Sequence, residues 1–188
     1  MGNETPRQCV IPIHKPNRRE LIFFFASGIL VSIPFATFFE SFVPVGGFSA
    51  ALLLVVFAPP IEELAKVFPL FYRHGETERS LVTLGLLTGL GFGAAEFVEY
   101  VFLTGAPIIG SIPHLIFHAS SATITGYGIA KKNPLPYFLI AVSLHATNNF
   151  FAFSTNIIGV FVQVLVLVAV YLLAWHFYHK ASTKKLVV

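Results

Sequence analysis

Six apolar segments constrain what this chain can fold into more than any other feature of the sequence. Each is close to the ~20 residues with which an α-helix crosses a bilayer. Short connections separate them, and Gly46–Gly47 and Asn133–Pro134 are turn signals within these connections. The segments run over Leu21–Phe39, Phe48–Tyr72, Ser80–Leu103, Ile108–Ala130, Leu135–Phe153 and Ile157–Tyr178. The sequence therefore predicts an all-α polytopic membrane protein, a bundle of about six transmembrane helices.

The composition excludes most soluble classes of protein. Hydrophobic residues make up 55% of the chain and charged residues 11%, with a mean hydropathy of +0.77, far above a soluble domain. The first segment is too long for a signal-peptide core, and we interpret it as an uncleaved helix. The sequence pI is about 9.1, but the basic residues lie between apolar segments. We therefore expect a lipid bilayer as its surroundings and no nucleic acid as a partner, and we infer no oligomeric state.

The basic residues predict an orientation in the membrane. Of the 12 Lys and Arg residues, all except Lys66 lie in the two tails and in the second-to-third and fourth-to-fifth connections. The other three connections have none. Because positive residues favour the cytoplasmic side, we expect a multi-pass cell membrane protein with both termini in the cytoplasm.

Three ionisable residues enter the second apolar segment, in the sequence APPIEELAKVF of residues 58–68. Insertion scales charge roughly 2.5–3.5 kcal/mol for one such residue at the centre of a membrane helix. Glu62, Glu63 and Lys66 must therefore face one another or a polar cavity. Lys66 lies three and four residues beyond the two carboxylates, so it can hold one ionised while the other does chemistry. An internal ion pair that only fixes helix packing explains the same spacing.

Two prolines precede these residues and predict a broken second helix. Pro59 and Pro60 lack backbone donors and interrupt a helix that runs into them. Since proline is tolerated in a first helical turn, we expect a new helix to begin near Pro60. That start would place Glu62 and Glu63 in the first turn, where the helix dipole favours carboxylates.

Further polar residues lie within the central half of the other apolar segments. Glu96 is in the third segment, His118 in the fourth and His145 in the fifth, so we expect them at one depth with the Glu62/Glu63 pair. A lone histidine in a membrane helix is more often a packed residue than a ligand, but several helices offer such groups here. The set suits hydrolysis with a Zn²⁺-activated water, or a glutamate general base with His and Asn stabilising the oxyanion.

Four motifs in order resemble the PrsW-type intramembrane proteases, which belong to the wider clan of CAAX prenyl endopeptidases and bacteriocin-processing enzymes. EELAK is similar to the family's EExxK motif. The other three are Phe92-x-x-x-Glu96 followed by Tyr100, His118 followed by Gly126–Gly128, and His145-x-x-x-Asn149. Glu99 and His114 match no motif position, so their roles stay open.

The resemblance implies an intramembrane endopeptidase that acts on membrane-associated protein or peptide substrates. We then expect a cytoplasmic tail over residues 1–20, a single transmembrane protease domain over 21–179 and a second cytoplasmic tail over 180–188. The catalytic residues would be Glu62, Glu63, Lys66, Glu96, His118, His145 and Asn149. Zn²⁺ would be held by Glu96, His118 and His145, with Glu63 as a further candidate ligand. The CAAX branch of the clan suggests a glutamate mechanism without metal as the alternative.

Two other classes of function fit intramembrane Glu, His and Lys. A proton-coupled carrier or channel uses such residues as a relay, but carriers often carry a repeat with matching broken helices, and only the second segment has a Pro-Pro break. A non-catalytic binding or immunity protein would keep the motifs for stability. An assay for cleavage discriminates between these classes.

Overall fold

The computed structural model describes residues 13–43, 52–73, 76–152, 154 and 156–187, and all six apolar segments are helical in their described parts. The helices are α1 (Arg18–Ser27), α2 (Ile33–Glu40), α3 (Ala58–Val67), α4 (Glu78–Val98), α5 (Ile108–Ala130), α6 (Pro134–Ala152) and α7 (Ile157–Lys180). A π-helical turn at Gly28–Ser32 joins α1 to α2, and a second, at Leu53–Phe57, leads into α3. A 3₁₀ turn at Phe68–Tyr72 follows α3, and a third π-helical turn, at Glu99–Leu103, follows α4. The predicted all-α class is confirmed.

Three of the described helical stretches are long and apolar enough to cross a membrane: Arg18–Glu40, Glu78–Leu103 and Ile157–Lys180. Many of their large apolar side chains are exposed, among them Leu30, Phe102 and Leu172. In water such a surface would drive association, whereas in a bilayer it faces acyl chains. This distribution agrees with a polytopic membrane protein.

The second segment is broken by a change of winding rather than by an interruption of the helix. The N–H of Ala58 bonds to the carbonyl of Leu53, five residues back, and α-helical winding begins at Ala58. The prediction that Glu62 and Glu63 lie in the first turn is therefore wrong, because α3 starts two residues earlier than expected and its first turn has no acidic residue. Pro59 is accommodated there since first-turn N–H groups need no intrahelical acceptor.

Glycines bring the central helices into close contact. A Cβ on Gly89 of α4 would lie 2.6 Å from Cβ of Ala122 and still closer to the carbonyl oxygen of His118 in α5. A Cβ on Gly93 would lie 2.9 Å from Cα of Leu115. Gly89 and Gly93, four residues apart on one face of α4, therefore set the distance between α4 and α5, which is a common role of small residues in membrane helices.

One end of the bundle carries the basic connections and both described chain ends, and we call it the basic end. Two short strands pair there, β1 (Glu76–Thr77) with β2 (Leu186–Val187), antiparallel. Buried Glu78 accepts hydrogen bonds from Lys131 Nζ (2.7 Å) and from the Ser182 N–H (3.0 Å). The hydrogen bond with Glu78 raises the pKa of Lys131, so this pair stays ionised at neutral pH.

The described N-terminal residues reach the same end. His14 forms a parallel bridge with Glu76 and bonds to the Glu20 carboxylate at 2.9 Å. Arg73 donates to Glu20 at 2.8 Å and also to Glu76. These contacts tie the N-terminal region to the connection between the second and third segments.

Candidate active site

Six ionisable side chains from four helices meet inside the bundle. α3 provides Glu62, Glu63 and Lys66, α4 provides Glu96, α5 provides His118, and α6 provides His145. α3 turns its polar face toward the inside of the bundle, whereas Leu64, on the opposite side of the helix, is 40% exposed on the apolar surface. We call these six residues the carboxylate–histidine cluster.

Glu63 is held from two sides. Its Oε1 accepts from Lys66 Nζ at 2.6 Å and from His145 Nδ1 at 2.9 Å, and the Glu63 and Lys66 side chains are fully buried. A carboxylate that accepts from Nδ1 fixes the tautomer of a neutral imidazole, leaving Nε2 as the ring's acceptor. Glu63 therefore orients His145 with its Nε2 directed to the rest of the cluster, where it lies 3.7 Å from Glu62 Oε2.

Lys66 bridges Glu63 to a second imidazole. Its Nζ lies 2.8 Å from His118 Nδ1 and 3.4 Å from Ser121 Oγ. The Phe92 ring lies 5.1 Å from Nζ, within the range of a cation–π contact. When the ammonium donates to Nδ1, the proton of a neutral His118 is on Nε2, which contacts the Glu96 carboxylate.

Glu62 has no hydrogen bond among the described residues, and its one contact in the cluster is with His145 Nε2 at 3.7 Å. Its side chain is 12% exposed, against 0% for Glu63. One ligand atom each from Glu62, His118 and His145 lie within 4.8 Å of one another. This group shares both histidines with the predicted ligand set, and it has Glu62 in place of Glu96.

The charges of the cluster leave room for a cation. With all three carboxylates ionised and both imidazoles neutral, the single ammonium leaves the cluster with a net charge of −2. Among the described residues, Oε2 of Glu62 and Oε2 of Glu63 are buried without a hydrogen-bond donor, and Glu96 Oε2 has only its contact with His118. Uncompensated negative charge inside a membrane protein is costly. Carboxylate and imidazole are common Zn²⁺ ligands, so these residues fit a divalent metal ion.

One predicted site residue, Asn149, is not a member of the cluster, and neither are Glu99 and His114, whose roles the motifs left open. The Asn149 side chain donates to the Leu54 carbonyl at 2.9 Å, which ties α6 to the turn before α3. Glu99 is exposed in the π turn after α4. The His114 ring packs 5.1 Å from Tyr100, one helical turn away from the cluster.

Sequence reasoning missed Ser121, which contacts Lys66, and it did not single out Gln163 of α7, which lines a neighbouring cavity. Ser121 lies one turn after His118 in a run of small residues, where nothing distinguishes it from packing residues. Gln163 had a usable signal, since it is the only polar side chain between Ile157 and Val170.

The fold and the cluster together define a class, a polytopic helical membrane protein with acid, base and imidazole groups buried between its helices. A sequence profile of the PrsW family intramembrane metalloproteases matches residues 16–175. The chain therefore belongs to the PrsW family of intramembrane metalloproteases. The comparisons with curated proteins and with solved structures gave no match.

Proposed function

We propose that this protein is an intramembrane endopeptidase that hydrolyses a peptide bond of membrane-associated proteins, with the carboxylate–histidine cluster as its catalytic centre. Family membership supports the reaction class. One observation carries the assignment of the site: three carboxylates and two imidazoles meet around a single buried ammonium. Such groups are expensive inside a membrane protein and are typical of functional sites there.

Within the cluster, the two adjacent glutamates have different tasks. Side chains of neighbouring helical residues point ~100° apart, and Glu63 already accepts from Lys66 and His145. Glu63 is therefore the orienting carboxylate. Glu62, which has an unpartnered oxygen near both imidazoles, is the general base. It takes a proton from the attacking water and returns it to the leaving amine.

The remaining members hold these groups in place and share the developing charge. Glu96 and Lys66 fix the His118 ring from opposite sides. One Asn149 amide hydrogen bonds to Leu54, and the other, which has no partner among the described residues, would donate to the oxyanion of the tetrahedral intermediate. Donors and bases of this kind typically contribute ~10²–10⁴-fold each to the rate.

A divalent metal, for which we propose zinc, would be held by Nε2 of His145, with carboxylate oxygens from Glu62 and Glu96 beside it. Nε2 of His118 would join these ligands once the ion displaced the proton from that nitrogen. Such an ion, when bound, lowers the pKa of its water and polarises the substrate carbonyl. The metal content of the Glu62→Gln variant shows whether Glu62 acts as the general base alone or is also a metal ligand. A general base can be replaced without loss of metal, whereas a ligand cannot.

The first prediction compares single glutamine variants in the purified full chain. We expect Glu62→Gln to lower cleavage of a library of transmembrane peptides at least ~100-fold, since glutamine cannot accept the proton. Glu63→Gln should also lower it, because His145 loses its orienting acceptor. Glu99→Gln is the matched control, an exposed glutamate outside the cluster, and should cleave like the parent. Full activity in both Glu62→Gln and Glu63→Gln would exclude this mechanism.

Metal analysis of the same preparations tests the zinc assignment. The parent and Glu99→Gln should retain about one zinc per chain, and Glu96→Gln and His145→Ala should lose both metal and cleavage. A parent protein that cleaves without metal would overturn the zinc assignment and leave the glutamate mechanism in its place.

A further inference from the structure

A second polar feature lies beside the cluster, in a cavity of about 190 Å³ between α5, α6 and α7. Three polar side chains line it, one from each helix: His114, Asn148 and Gln163. Apolar residues such as Phe117 and Val164 complete its wall. The volume is several times the ~30 Å³ that one water molecule takes up in the liquid, so the cavity can hold a short piece of a larger guest.

A single aromatic ring separates this cavity from the cluster. The Phe117 ring, which lines the cavity, lies 5.2 Å from the His145 ring and 5.7 Å from the His118 ring, measured between centroids. His114 and Gln163 are each six residues into their helices, ~9 Å from the end opposite the basic end. A chain in the cavity would therefore continue past Phe117 to the imidazoles within about one to two extended residues of ~3.3 Å each.

The polar groups of the cavity have hydrogen-bonding capacity to spare. Among the described residues, the side chains of His114 and Asn148 have no hydrogen-bond partner. The Gln163 side chain has only a long contact of 3.5 Å, from its Nε2 to the backbone carbonyl of Asn148. Polar side chains in a membrane helix are expensive and are typical of functional positions. A primary amide both donates and accepts, which matches a peptide group and no part of an acyl chain.

We propose that this cavity is a binding subsite for the unwound backbone of the substrate next to the cleaved bond, with Gln163 and Asn148 as its hydrogen-bonding residues. The inference rests on the proposed function. Hydrolysis requires an extended substrate segment, and an extended backbone inside a membrane must find partners for its N–H and C=O groups. The amides of α6 and α7 supply those partners one ring away from the catalytic groups.

The test joins one enzyme variant to one change in the substrate backbone. The probe is a Lys-flanked Leu/Ala transmembrane peptide with a central Gly-Ser stretch, made as a series in which each central peptide bond in turn becomes an ester. Binding is measured by fluorescence transfer in nanodiscs that contain the full chain, and kcat and KM are measured where cleavage occurs. Gln163→Leu removes the amide, and Phe161→Leu is the control, because Phe161 is 61% exposed on the apolar surface of the same helix.

We expect Gln163→Leu to weaken binding of the all-amide peptide about 3- to 10-fold, the usual effect of one hydrogen bond, and to raise KM more than it lowers kcat. One peptide of the ester series should bind to the parent more weakly than the all-amide peptide, by a similar factor. The same peptide should bind to Gln163→Leu as well as the all-amide peptide does. The Phe161→Leu control should bind every peptide as the parent does. A purely structural role for Gln163 would not single out one ester.

Three outcomes separate this inference from the proposed function. A parent that binds all ester peptides equally overturns the subsite, whether or not Gln163→Leu folds. Cleavage with unchanged binding by Gln163→Leu overturns the subsite and leaves the protease function standing. Coupled binding losses without any cleavage support the subsite and count against hydrolysis.

Discussion

At the scale of single residues, the fully buried Lys66 decides the division of labour in the cluster. Its ammonium is shared by the Glu63 carboxylate at 2.6 Å and the His118 ring at 2.8 Å. The sequence placed Lys66 within reach of both Glu62 and Glu63, but spacings of three and four residues are equivalent in an isolated helix. Which carboxylate pairs with Lys66 depends on the position of α5, which brings His118 to Lys66. That position is set by the tertiary packing of the helices and cannot be read from the spacing.

A variant at Lys66 tests how tightly this arrangement is held. Lys66→Met leaves Glu63 buried without its cation, so we expect a loss of about 3 kcal/mol in the free energy of unfolding. Glu63→Gln in the same chain removes the unpaired buried charge. The free energy of unfolding of the double variant should therefore fall by clearly less than the sum of the two single losses. Unfolding by SDS in mixed micelles measures all three. The control is Lys132→Met, an exposed lysine, which should unfold like the parent.

Additive losses in this cycle would contradict the ion pair, since independent residues do not couple. The result does not depend on catalysis, because the measurement needs no substrate.

At the scale of elements, the sequence predicted the helices well and their winding poorly. The apolar segments agree with the helices to within a few residues at the ends that the structure describes, because apolar length alone specifies a membrane helix. The predicted start of the second segment at Phe48, the turn at Gly46–Gly47 and the end of the fifth segment at Phe153 lie outside the described residues. The start of α3 was misplaced, since two prolines suit a first turn as well as they interrupt a helix. The two-residue strands β1 and β2 have no local signal at all, and they form because the chain ends meet the connection before α4.

The glycine contact between α4 and α5 gives a prediction for these two elements. Gly89→Ala places a methyl group against the His118 carbonyl and Ala122, which forces the helices apart. We expect a loss of about 1–3 kcal/mol in stability and at least ~10-fold slower peptide cleavage, because α5 carries His118 into the cluster. Gly110→Ala is the matched control for stability, since a Cβ there meets nothing within 4 Å. Parent-like cleavage by Gly89→Ala would show that the cluster tolerates a shift of α5.

At the scale of the whole molecule, the basic end gathers segments that are far apart in sequence. β2 pairs with β1, Lys131 reaches Glu78, and His14 reaches Glu76. Both described chain ends therefore lie at one end of the bundle, as an even number of membrane spans requires. The sequence predicted this shared side from charge counting, in agreement with the even number of apolar segments. The individual pairs depend on how the helices are arranged and could not be predicted from spacing.

The last prediction concerns which side of the membrane this end faces. Because all basic residues of the tails and connections in the described part of the chain lie on segments that reach the basic end, the positive-inside rule predicts that this end faces the cytoplasm. A fluorescent-protein fusion after Val188 should therefore be bright, since such a reporter folds in the cytoplasm. Alkaline phosphatase inserted at Ala106, in a connection without Lys or Arg, should be active on the opposite side, and the same enzyme inserted at Lys132 should be inactive.

The Lys132 insertion is the internal control, because it tests the same reporter between α5 and α6. Active phosphatase at Lys132 together with inactive phosphatase at Ala106 would reverse the orientation, and it would place the polar cavity of His114, Asn148 and Gln163 on the cytoplasmic side of the cluster.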